Sequence, residues 1–380
     1  MVGFMLENEQ QGKDDFEKFF ITTADDAARV ILDGVRKNKR RVLIGRDARH
    51  KSTASARDAA HVREIRTHYA RHIFSSNSGI TGRKAMMPVR RDLRFNLPQE
   101  RACDWHVQGP HATHFFNALS LLFPAGERFF MDSVRNYRDQ IDDPVLKKQV
   151  LGFIGQEAMH TREHVEYNDL LQEAGLPAHK LDKRLWALLN FGRKILPHSY
   201  KLAVTVCLEH YTAMLASLLL EDATRISGSV EGYTQMWTWH ALEETRHKSV
   251  SYDMWNTVLK PGLGCYLLRT GTMLATTLTF WLIVIVFDYH VRLMIADRKR
   301  GGHIRGMWRV VKYLYGPRHG VFPRIAGEWL SFFRPGFHPW DHDNLAQLAR
   351  IDGLVAAVDA TNAATPSARK ATRRGVQAAA

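Results

Sequence analysis

Residues 153–164 read FIGQEAMHTREH, and residues 240–253 read HALEETRHKSVSYD. Each stretch holds a glutamate followed three positions later by a histidine, and these pairs are Glu157 with His160 and Glu244 with His247. Residues three apart lie on the same face of an α-helix, so each stretch can direct one carboxylate and one imidazole at a single point. The repeated spacing predicts two helices that face a common centre.

Two further glutamates stand inside otherwise apolar runs. Glu127 lies in LLFPAGERFF, and Glu209 lies in AVTVCLEHY. Glu127 precedes Glu157 by 30 residues, and Glu209 precedes Glu244 by 35 residues. Because each interval fits one helix–turn–helix hairpin, each half of the protein is predicted to place a lone glutamate opposite a Glu-x-x-His motif.

These side chains form a ligand set for two metal ions. Buried carboxylates are costly unless neutralised, and four carboxylates balance the charge of two divalent cations. Oxygen ligands combined with imidazole suit iron(II) or manganese(II), and we favour iron. One glutamate from each of two helices and Glu-x-x-His from each of two others is the pattern of ferritin-like carboxylate proteins. The predicted metal ligands are Glu127, Glu157, His160, Glu209, Glu244 and His247.

Two nearby histidines extend this set. His164 follows His160 by four residues, and His240 precedes Glu244 by four residues, so both point toward the predicted centre. Each could be an extra ligand or could form hydrogen bonds that support the ligands. His164 is retained as a further candidate ligand, and a supporting role is favoured for His240.

Helical periodicity persists through the middle of the chain, and the links between helices set their order. The two outer links are short and predict antiparallel hairpins, whereas the middle link, Gly175 to Pro197, exceeds twenty residues. The sequence predicts an all-α fold, a ferritin-like four-helix bundle with a long middle crossover and additional C-terminal helices. The four helices are expected at about 111–138, 143–175, 198–223 and 229–259.

From about Met87 to Asp343 the sequence resembles a bacterial family described as predicted metal-dependent hydrolases. The stretches that carry the resemblance are MPVRRDLRF, NALSLLFPAGERFF, FIGQEAMHTREH, CLEHYTAMLA, HALEETRHKSVSYD and RPGFHPWDHD. The resemblance implies a ferritin-like body and metal-binding positions at the six residues named above. It covers about two thirds of the chain and leaves out the N-terminal segment.

The family description names a hydrolase, whereas the ligand set favours dioxygen chemistry. Hydrolytic sites are usually dominated by His, Asp or Cys, and the chain has neither an HExxH nor an HxHxDH run. The sequence predicts a di-iron oxidase or oxygenase, with no catalytic residue assigned beyond the ligands, acting on a small hydrophobic, lipid-like substrate. A hydrolase is one alternative. A ferroxidase or iron-handling protein is another, and an iron-storage role predicts assembly into a cage.

The N-terminal segment resembles a different family. Residues 16–49, FEKFFITTADDAARVILDGVRKNKRRVLIGRDAR, resemble the C-terminal end of short-chain dehydrogenases. No Gly-rich strand-to-helix turn precedes them and no tyrosine is followed four positions later by lysine, so no NAD site is predicted. The predicted organisation is a dehydrogenase-like remnant at 1–50, a linker at 51–86, the dimetal bundle at 87–260, a C-terminal helical extension at 261–345, and a helix end with a disordered basic tail at 346–380.

The net charge of +14 is unevenly distributed along the chain. Residues 1–100 carry +7, residues 101–260 carry −2, and residues 261–380 carry +9. A nucleic-acid enzyme normally surrounds its active site with positive charge, so a nucleic-acid partner is not expected. Three widely separated cysteines without a CxxC pair argue against a disulfide scaffold and favour a reducing compartment, the cytoplasm.

One apolar segment raises the question of a membrane. Residues 270–287 are uncharged and include FWLIVIVF at 280–287, a length at the lower edge for crossing a bilayer. No secretory signal is visible at the start of the chain. The segment is either a membrane-associated helix, in-plane or re-entrant, or a fifth bundle helix. Such a bundle helix would be buried against the metal core or would line an apolar substrate channel. A membrane surface is thus a candidate partner, and a homodimer remains open.

Overall fold

The fold is built from α-helices, with no strand among the residues that the structure describes. The computed structural model describes residues 86–279, 289–298, 300 and 304–364. All of them belong to one unit, Arg83–Ala380. The all-α prediction is therefore confirmed for this part of the chain. The helices are α1 (Pro110–Arg135), α2 (Pro144–Glu173), α3 (Ala178–Ile195), α4 (His198–Glu221), α5 (Glu231–His247), α6 (Val250–Val258), α7 (Leu263–Thr276), α8 (Val291–Ala296), α9 (Ile304–Tyr315), α10 (Val321–Ser331), α11 (Leu345–Leu348) and α12 (Ile351–Ala364).

Two helix pairs form the centre of this unit. Helix α1 packs against α2, and α4 packs against α5; the pairs meet where α1 contacts α4 and α2 contacts α5. The Asp143 carboxylate accepts a hydrogen bond from the Val145 amide, and Pro144 stands in the first turn, so the sequence starts α2 sharply after the short link. The ferritin-like topology itself stays a prediction.

The long middle link contains a helix. Helix α3 packs against α1 and α2 and buries Leu181 and Leu185. The apolar residues nearer its C-terminal end, Leu188, Phe191 and Ile195, are exposed. The apolar residues of this helix from Leu185 to Phe191 are thus only half buried.

The structure corrects the prediction of one helix over 229–259. Helix α5 ends at His247 and α6 begins at Val250. At the break, the Lys248 ammonium donates hydrogen bonds to the His342 carbonyl (2.7 Å) and to Asn344 Oδ1 (2.6 Å). The interruption therefore coincides with a connection to the C-terminal segment, a tertiary contact that helical periodicity does not report.

A non-helical segment, residues 86–98, crosses the outside of both helix pairs, and we call it the strap. It passes over α2 at Gly152, where an added Cβ would lie 2.6 Å from the Pro88 carbonyl oxygen. It passes over α5 at Gly232, where a Cβ would lie 1.8 Å from the Asn96 carbonyl oxygen. Glycine is required at Gly232 because only a residue without a side chain permits this approach.

The C-terminal helices surround the two pairs. Helices α7 and α10 pack on α4, α8 and α9 on α1, and α11 and α12 on α5. Several predictions lie outside the described residues: the remnant at 1–50, the linker up to residue 85, the apolar run at 280–287 and the tail from residue 365.

Helix α9 has two apolar faces. Gly306, Val310 and Leu314 are buried on one face. The opposite face carries Ile304, which is 90% exposed, and Trp308, which is 68% exposed. Spacings of four, three and four residues put the exposed side chains on one line. This α9 stripe consists of Ile304, Trp308, Val311 and Tyr315.

Among the described residues, one helix is long and apolar enough to cross a membrane. It is α4, whose apolar window has a mean hydropathy of 1.5 and is 83% buried inside the protein. Such burial is typical of the core helix of a globular protein.

Candidate metal centre

The structure brings all six predicted ligands together in the interior. Each is at most 2% exposed to solvent. Glu127 comes from α1, Glu209 from α4, and the two Glu-x-x-His pairs from α2 and α5. Three overlapping groups each place their ligand atoms within 4.8 Å of one another: Glu157, Glu209 and His247; Glu157, His160 and Glu244; and Glu127, His160 and His240.

Many of these ligand atoms lack a hydrogen-bond partner although they are fully buried. Buried polar atoms are nearly always paired, so a concentration of unpaired ones requires another explanation. Carboxylate oxygens and imidazole nitrogens that face one another suit divalent cations, and the residues therefore fit two metal ions. The unpaired atoms are both side-chain oxygens of Glu157 and of Glu209, Glu127 Oε1, His160 Nδ1, His240 Nε2 and His247 Nε2.

His247 faces the centre through its Nε2 atom. That atom lies 3.2 Å from Glu157 Oε1, 3.3 Å from Glu244 Oε2 and 3.5 Å from Glu209 Oε2. Its Nδ1 atom lies 3.2 Å from Gln156 Oε1, and the Gln156 amide donates to the Val89 carbonyl of the strap (3.3 Å). Because the amide oxygen can only accept, Nδ1 carries the proton and Nε2 keeps a lone pair for a cation.

His160 is oriented in a related way but by a charged group. Its Nε2 atom lies 3.2 Å from Glu243 Oε2, and Arg91 of the strap donates to Glu243 Oε1 (3.1 Å). The other ring nitrogen, Nδ1, faces Glu244 Oε1 at 3.5 Å. The Arg91 guanidinium balances the buried charge of Glu243, so this carboxylate is not part of the charge that the cations must balance.

Sequence reasoning did not assign Gln156 to any histidine, and it offered His247 as the partner of Glu243, whereas the structure pairs Glu243 with His160. Each directly precedes the glutamate of one motif and supports the histidine of the other motif. A signal was present in QEAMH and EETRH, which both place a hydrogen-bonding residue before the motif glutamate. Its meaning depends on how α2 and α5 face each other, which spacing along one helix does not fix.

His240 lies closer to the predicted ligands than His164 does. His240 Nε2 is 3.2 Å from Glu244 Oε1, and its Nδ1 is 3.1 Å from His164 Nε2. The second ring nitrogen of His164 lies 2.9 Å from Ser120 Oγ. Both nitrogens of His164 therefore have partners, and the structure places His164 behind His240 relative to the centre.

Helix α1 contains a proline, Pro124, one turn before Glu127. Pro124 has no N–H to donate to the Ser120 carbonyl, and the Asn168 side chain of α2 donates to that carbonyl instead (3.0 Å). Ser120 Oγ donates in return to Asn168 Oδ1 (2.8 Å). This reciprocal pair ties α1 to α2 about two turns before Glu127. Glu127 itself accepts a hydrogen bond from the Thr161 hydroxyl (2.8 Å).

The electrostatics of the cluster favour bound cations. Burial raises the pKa of Glu127 to about 8, and burial together with neighbouring carboxylates raises the pKa of Glu157 and Glu209 well above the ordinary value. Burial also raises the pKa of Glu244, but the nearby imidazoles outweigh it and bring that pKa well below the ordinary value. Four ionised carboxylates cannot share this volume without positive charge, which two divalent ions would supply.

An apolar cavity reaches the centre from one side. It has about 560 Å³ of empty space, which includes its open mouth, and Thr212 and His240 form part of its wall. Thr212 Oγ1 donates to Glu244 Oε2 (2.5 Å), so one hydroxyl touches both the cavity and a predicted ligand. The other lining residues are Phe115, Phe116, Leu119, Phe123, Leu215, Ala216, Leu218, Leu219, Arg225, Trp237, Ala241, Tyr313 and Val321.

Comparison with protein families matches residues 89–343 to a family model described as a predicted metal-dependent hydrolase. The match spans 255 of the 380 residues and includes all six predicted ligands. Searches of curated proteins and of solved structures returned no match.

Proposed function

Because the chain belongs to the family of predicted metal-dependent hydrolases, we propose that its buried glutamates and histidines bind two divalent metal ions, with iron preferred over manganese. We propose further that the centre activates dioxygen and oxidises an apolar substrate. The observation that carries the proposal is the set of unpaired carboxylate and imidazole atoms that converge beside an apolar cavity.

The overlapping ligand groups suggest how the side chains divide between two ions. Glu157 belongs to two groups and would serve both ions, while Glu209 and His247 would complete one of them. Glu244, His160 and Glu127 would hold the other ion, with His240 beside it. When bound, two redox-active cations supply the electrons that reduce dioxygen.

The protein's own residues prepare the site for this chemistry. Gln156 and Glu243 hold the two imidazoles in the orientation that directs a lone pair at the centre. Thr212 holds a proton at the boundary between Glu244 and the cavity. The apolar wall excludes water, which strengthens the electrostatic interactions inside and protects reactive species from side reactions.

The nature of the cavity supports oxidation over hydrolysis. A hydrolytic site has to admit water and release polar products, whereas the wall next to His240 consists mainly of Phe, Leu, Ala and Trp side chains. Dioxygen and a hydrocarbon chain are both apolar and can occupy such a space. The ligand set, rich in glutamate, also differs from the His, Asp or Cys sets of hydrolytic zinc sites.

The decisive experiment is an anaerobic titration of the metal-free protein with iron(II), followed by exposure to dioxygen. We expect two equivalents to bind and an absorption band of a bridged diferric centre to appear. The Glu157→Ala variant should lose both results, while Glu173→Ala, at an exposed position of the same helix, should retain them. The proposal fails if dioxygen leaves the iron unchanged while zinc- or manganese-loaded protein hydrolyses esters. Large cage assemblies with many iron atoms per chain would favour iron storage.

We also propose that the α9 stripe contacts an anionic lipid surface. An exposed tryptophan and aliphatic residues on one helical line, flanked by Arg305, Arg309 and Lys312, are typical of helices that lie in the interface plane of a bilayer. The basic flank complements anionic headgroups, and Trp308 suits the headgroup level.

Sedimentation with lipid vesicles tests this surface. The full chain should sediment with vesicles that contain phosphatidylglycerol, and the doubly substituted Ile304→Ser, Trp308→Ala variant should stay in solution. Leu188→Ser removes an exposed leucine (57%) from α3 and is the control. Equal sedimentation of both variants with the parent would exclude the α9 stripe as the contact.

A further inference from the structure

The apolar cavity has a direction relative to the metal centre. Its wall on α1 runs from Phe115 to Phe123, eight residues, which is about 12 Å at about 1.5 Å per residue. Phe123 lies one turn before Glu127, and on α4 the wall begins at Thr212, one turn after Glu209. The cavity therefore runs parallel to the helices, with one end at the centre and the other about 12 Å away.

A second cavity of different character lies at that distant end. It has about 780 Å³ of empty space including its opening, and Arg225 and Tyr313 line both cavities. Arg225, Arg309 and Lys312 outnumber the one acidic residue in its lining, Asp222. The remaining lining residues are Gln108, His111, Thr224 and His319. The second cavity thus presents net positive charge.

Arg225 stands at the boundary with part of its hydrogen-bonding capacity unused. Its side chain is only 11% exposed, and its Nη2 atom donates to the His319 carbonyl (3.2 Å). Its Nε atom is buried, lies 3.4 Å from Asp222 Oδ2 and has no hydrogen bond. A guanidinium that separates an apolar space from a basic one suits the junction of a hydrocarbon chain with an anionic group.

We infer that the two cavities together bind one amphiphile, an unbranched alkyl chain that carries a carboxylate or phosphate head. The chain would occupy the apolar cavity, and the head would lie among Arg225, Arg309 and Lys312. Because Arg225 and Tyr313 line both cavities, the two spaces adjoin, and one extended molecule would pass from one into the other at these side chains.

The orientation of the amphiphile also determines which of its parts lies beside the proposed metal ions. This assignment rests on the proposed function. A head held at the basic end lies about 12 Å from the centre by the helical rise, so the alkyl chain and not the headgroup reaches His240. Hydrolysis of a headgroup ester would require the opposite orientation.

Calorimetric titration of the full-length chain tests the binding, with and without its metal. The probes are dodecyl phosphate, dodecanoate, dodecanol and inorganic phosphate, each below the concentration at which it forms micelles. We expect the two anionic amphiphiles to bind at least ten-fold more tightly than dodecanol or phosphate. Shortening the chain should weaken binding by about four-fold per methylene.

Matched variants separate the two cavities. Arg309→Gln with Lys312→Gln should weaken dodecyl phosphate about ten-fold or more and leave dodecanol unchanged. Arg138→Gln removes an exposed arginine outside both linings and away from α9, and it should leave both unchanged. Leu219→Trp should block all chain-bearing probes, and the milder Leu219→Phe serves if that variant does not fold.

Several results would overturn the inference. Binding of inorganic phosphate as tight as that of dodecyl phosphate would reveal a simple anion site. A loss from Arg138→Gln equal to that from the Arg309→Gln, Lys312→Gln variant would reveal unspecific charge. Affinity without dependence on chain length would exclude the apolar cavity. The calorimetric titration includes the metal-free protein, so its result does not depend on iron or dioxygen. A failure of amphiphile binding therefore does not affect the iron and dioxygen experiment, and a failure of that experiment does not affect the binding result.

Discussion

The QEAMH half (156–160) and the EETRH half (243–247) of the centre present the same pair of ligands but are supported differently. His247 is held by the Gln156 amide, which is tied to a backbone carbonyl, whereas His160 is held by the Glu243 carboxylate, which is tied to Arg91. A neutral partner and a charged partner make the two imidazoles unequally basic, since a carboxylate raises the basicity of the imidazole that it binds.

The position four residues before each motif glutamate also differs. Phe153 stacks edge-on against His247 with ring centroids 4.9 Å apart, and it is fully buried. His240 occupies the equivalent place beside His160, at 4.3 Å, and forms part of the cavity wall. One half is therefore closed by an aromatic ring while the other opens toward the cavity. Equal spacing in sequence has produced a closed side and an open side.

The largest expected effect comes from removing one glutamate of each half together. The Glu157→Ala, Glu244→Ala double variant should contain essentially no metal, because Glu157 belongs to two ligand groups and Glu244 to one of them. Elemental analysis of protein purified without added metal measures this. Unchanged metal content in a folded double variant would remove the site assignment for both halves.

Replacing the Glu243 carboxylate, which supports His160, by a neutral amide should remove the difference between the halves. Glu243→Gln should weaken the binding of the ion beside His160 by about 10–100-fold and leave the affinity for the other ion unchanged. Stepwise titration with metal should then show one tight and one weak equivalent. Glu166→Gln, an exposed residue of α2 that pairs with Arg94, is the control. Equal weakening of both equivalents would mean that the two halves act as one.

The two places where the strap crosses a helix can be compared through the free energy of unfolding of glycine variants. Gly232→Ala should destabilise the protein by about 1–3 kcal/mol and Gly152→Ala by less, since the closest approach is 1.8 Å at the first and 2.6 Å at the second. Denaturant unfolding measures both. Gly353→Ala in α12, whose Cβ would meet nothing within 4 Å, should be neutral or slightly stabilising. A destabilised Gly353→Ala variant would show that helical glycines here act through some other cause.

The last expected effect is a pH dependence of the metal-free protein, to which Glu127 and His160 in the open half contribute. Burial raises the pKa of Glu127 to about 8. Burial lowers the pKa of His160, but the carboxylates of Glu243 and Glu244 beside its ring nitrogens outweigh burial and raise that pKa to about 10. The folded state therefore keeps protons that the unfolded chain releases, and stability should fall as pH rises from about 5 toward 9.

Thermal melts of the metal-free protein measure this fall, and Glu127→Gln should make it shallower. Added metal should oppose it, because cations displace the protons and bind more tightly at higher pH. A metal-free melting temperature that rises over the same range would contradict the assigned direction.

Sequence spacing was sufficient to predict which side chains meet, because a period of three or four residues fixes a helical face. It placed Glu127, Glu157, His160, Glu209, Glu244 and His247 in one interior cluster, where the structure also has them; their role as ligands stays a prediction. The supports of the histidines were beyond its reach. They depend on contacts between α2, α5 and the strap, and no local periodicity reports how separate segments are juxtaposed.

The break after His247 and the order of His240 and His164 have the same origin. Both result from partners far away in the chain, Asn344 for Lys248 and Ser120 for His164. Helical spacing directs both histidines at the centre, but only packing decides which one lies nearer.

The strap has a consequence for engineering. Val89 and Arg91 stand two residues apart, yet one supports His247 through Gln156 and the other supports His160 through Glu243. Substitutions within residues 86–98 can therefore change the support of both imidazoles without replacing any predicted ligand. A library confined to residues 86–98 would change the support of both histidines, and exchanging Arg91 alone would change only the support of His160.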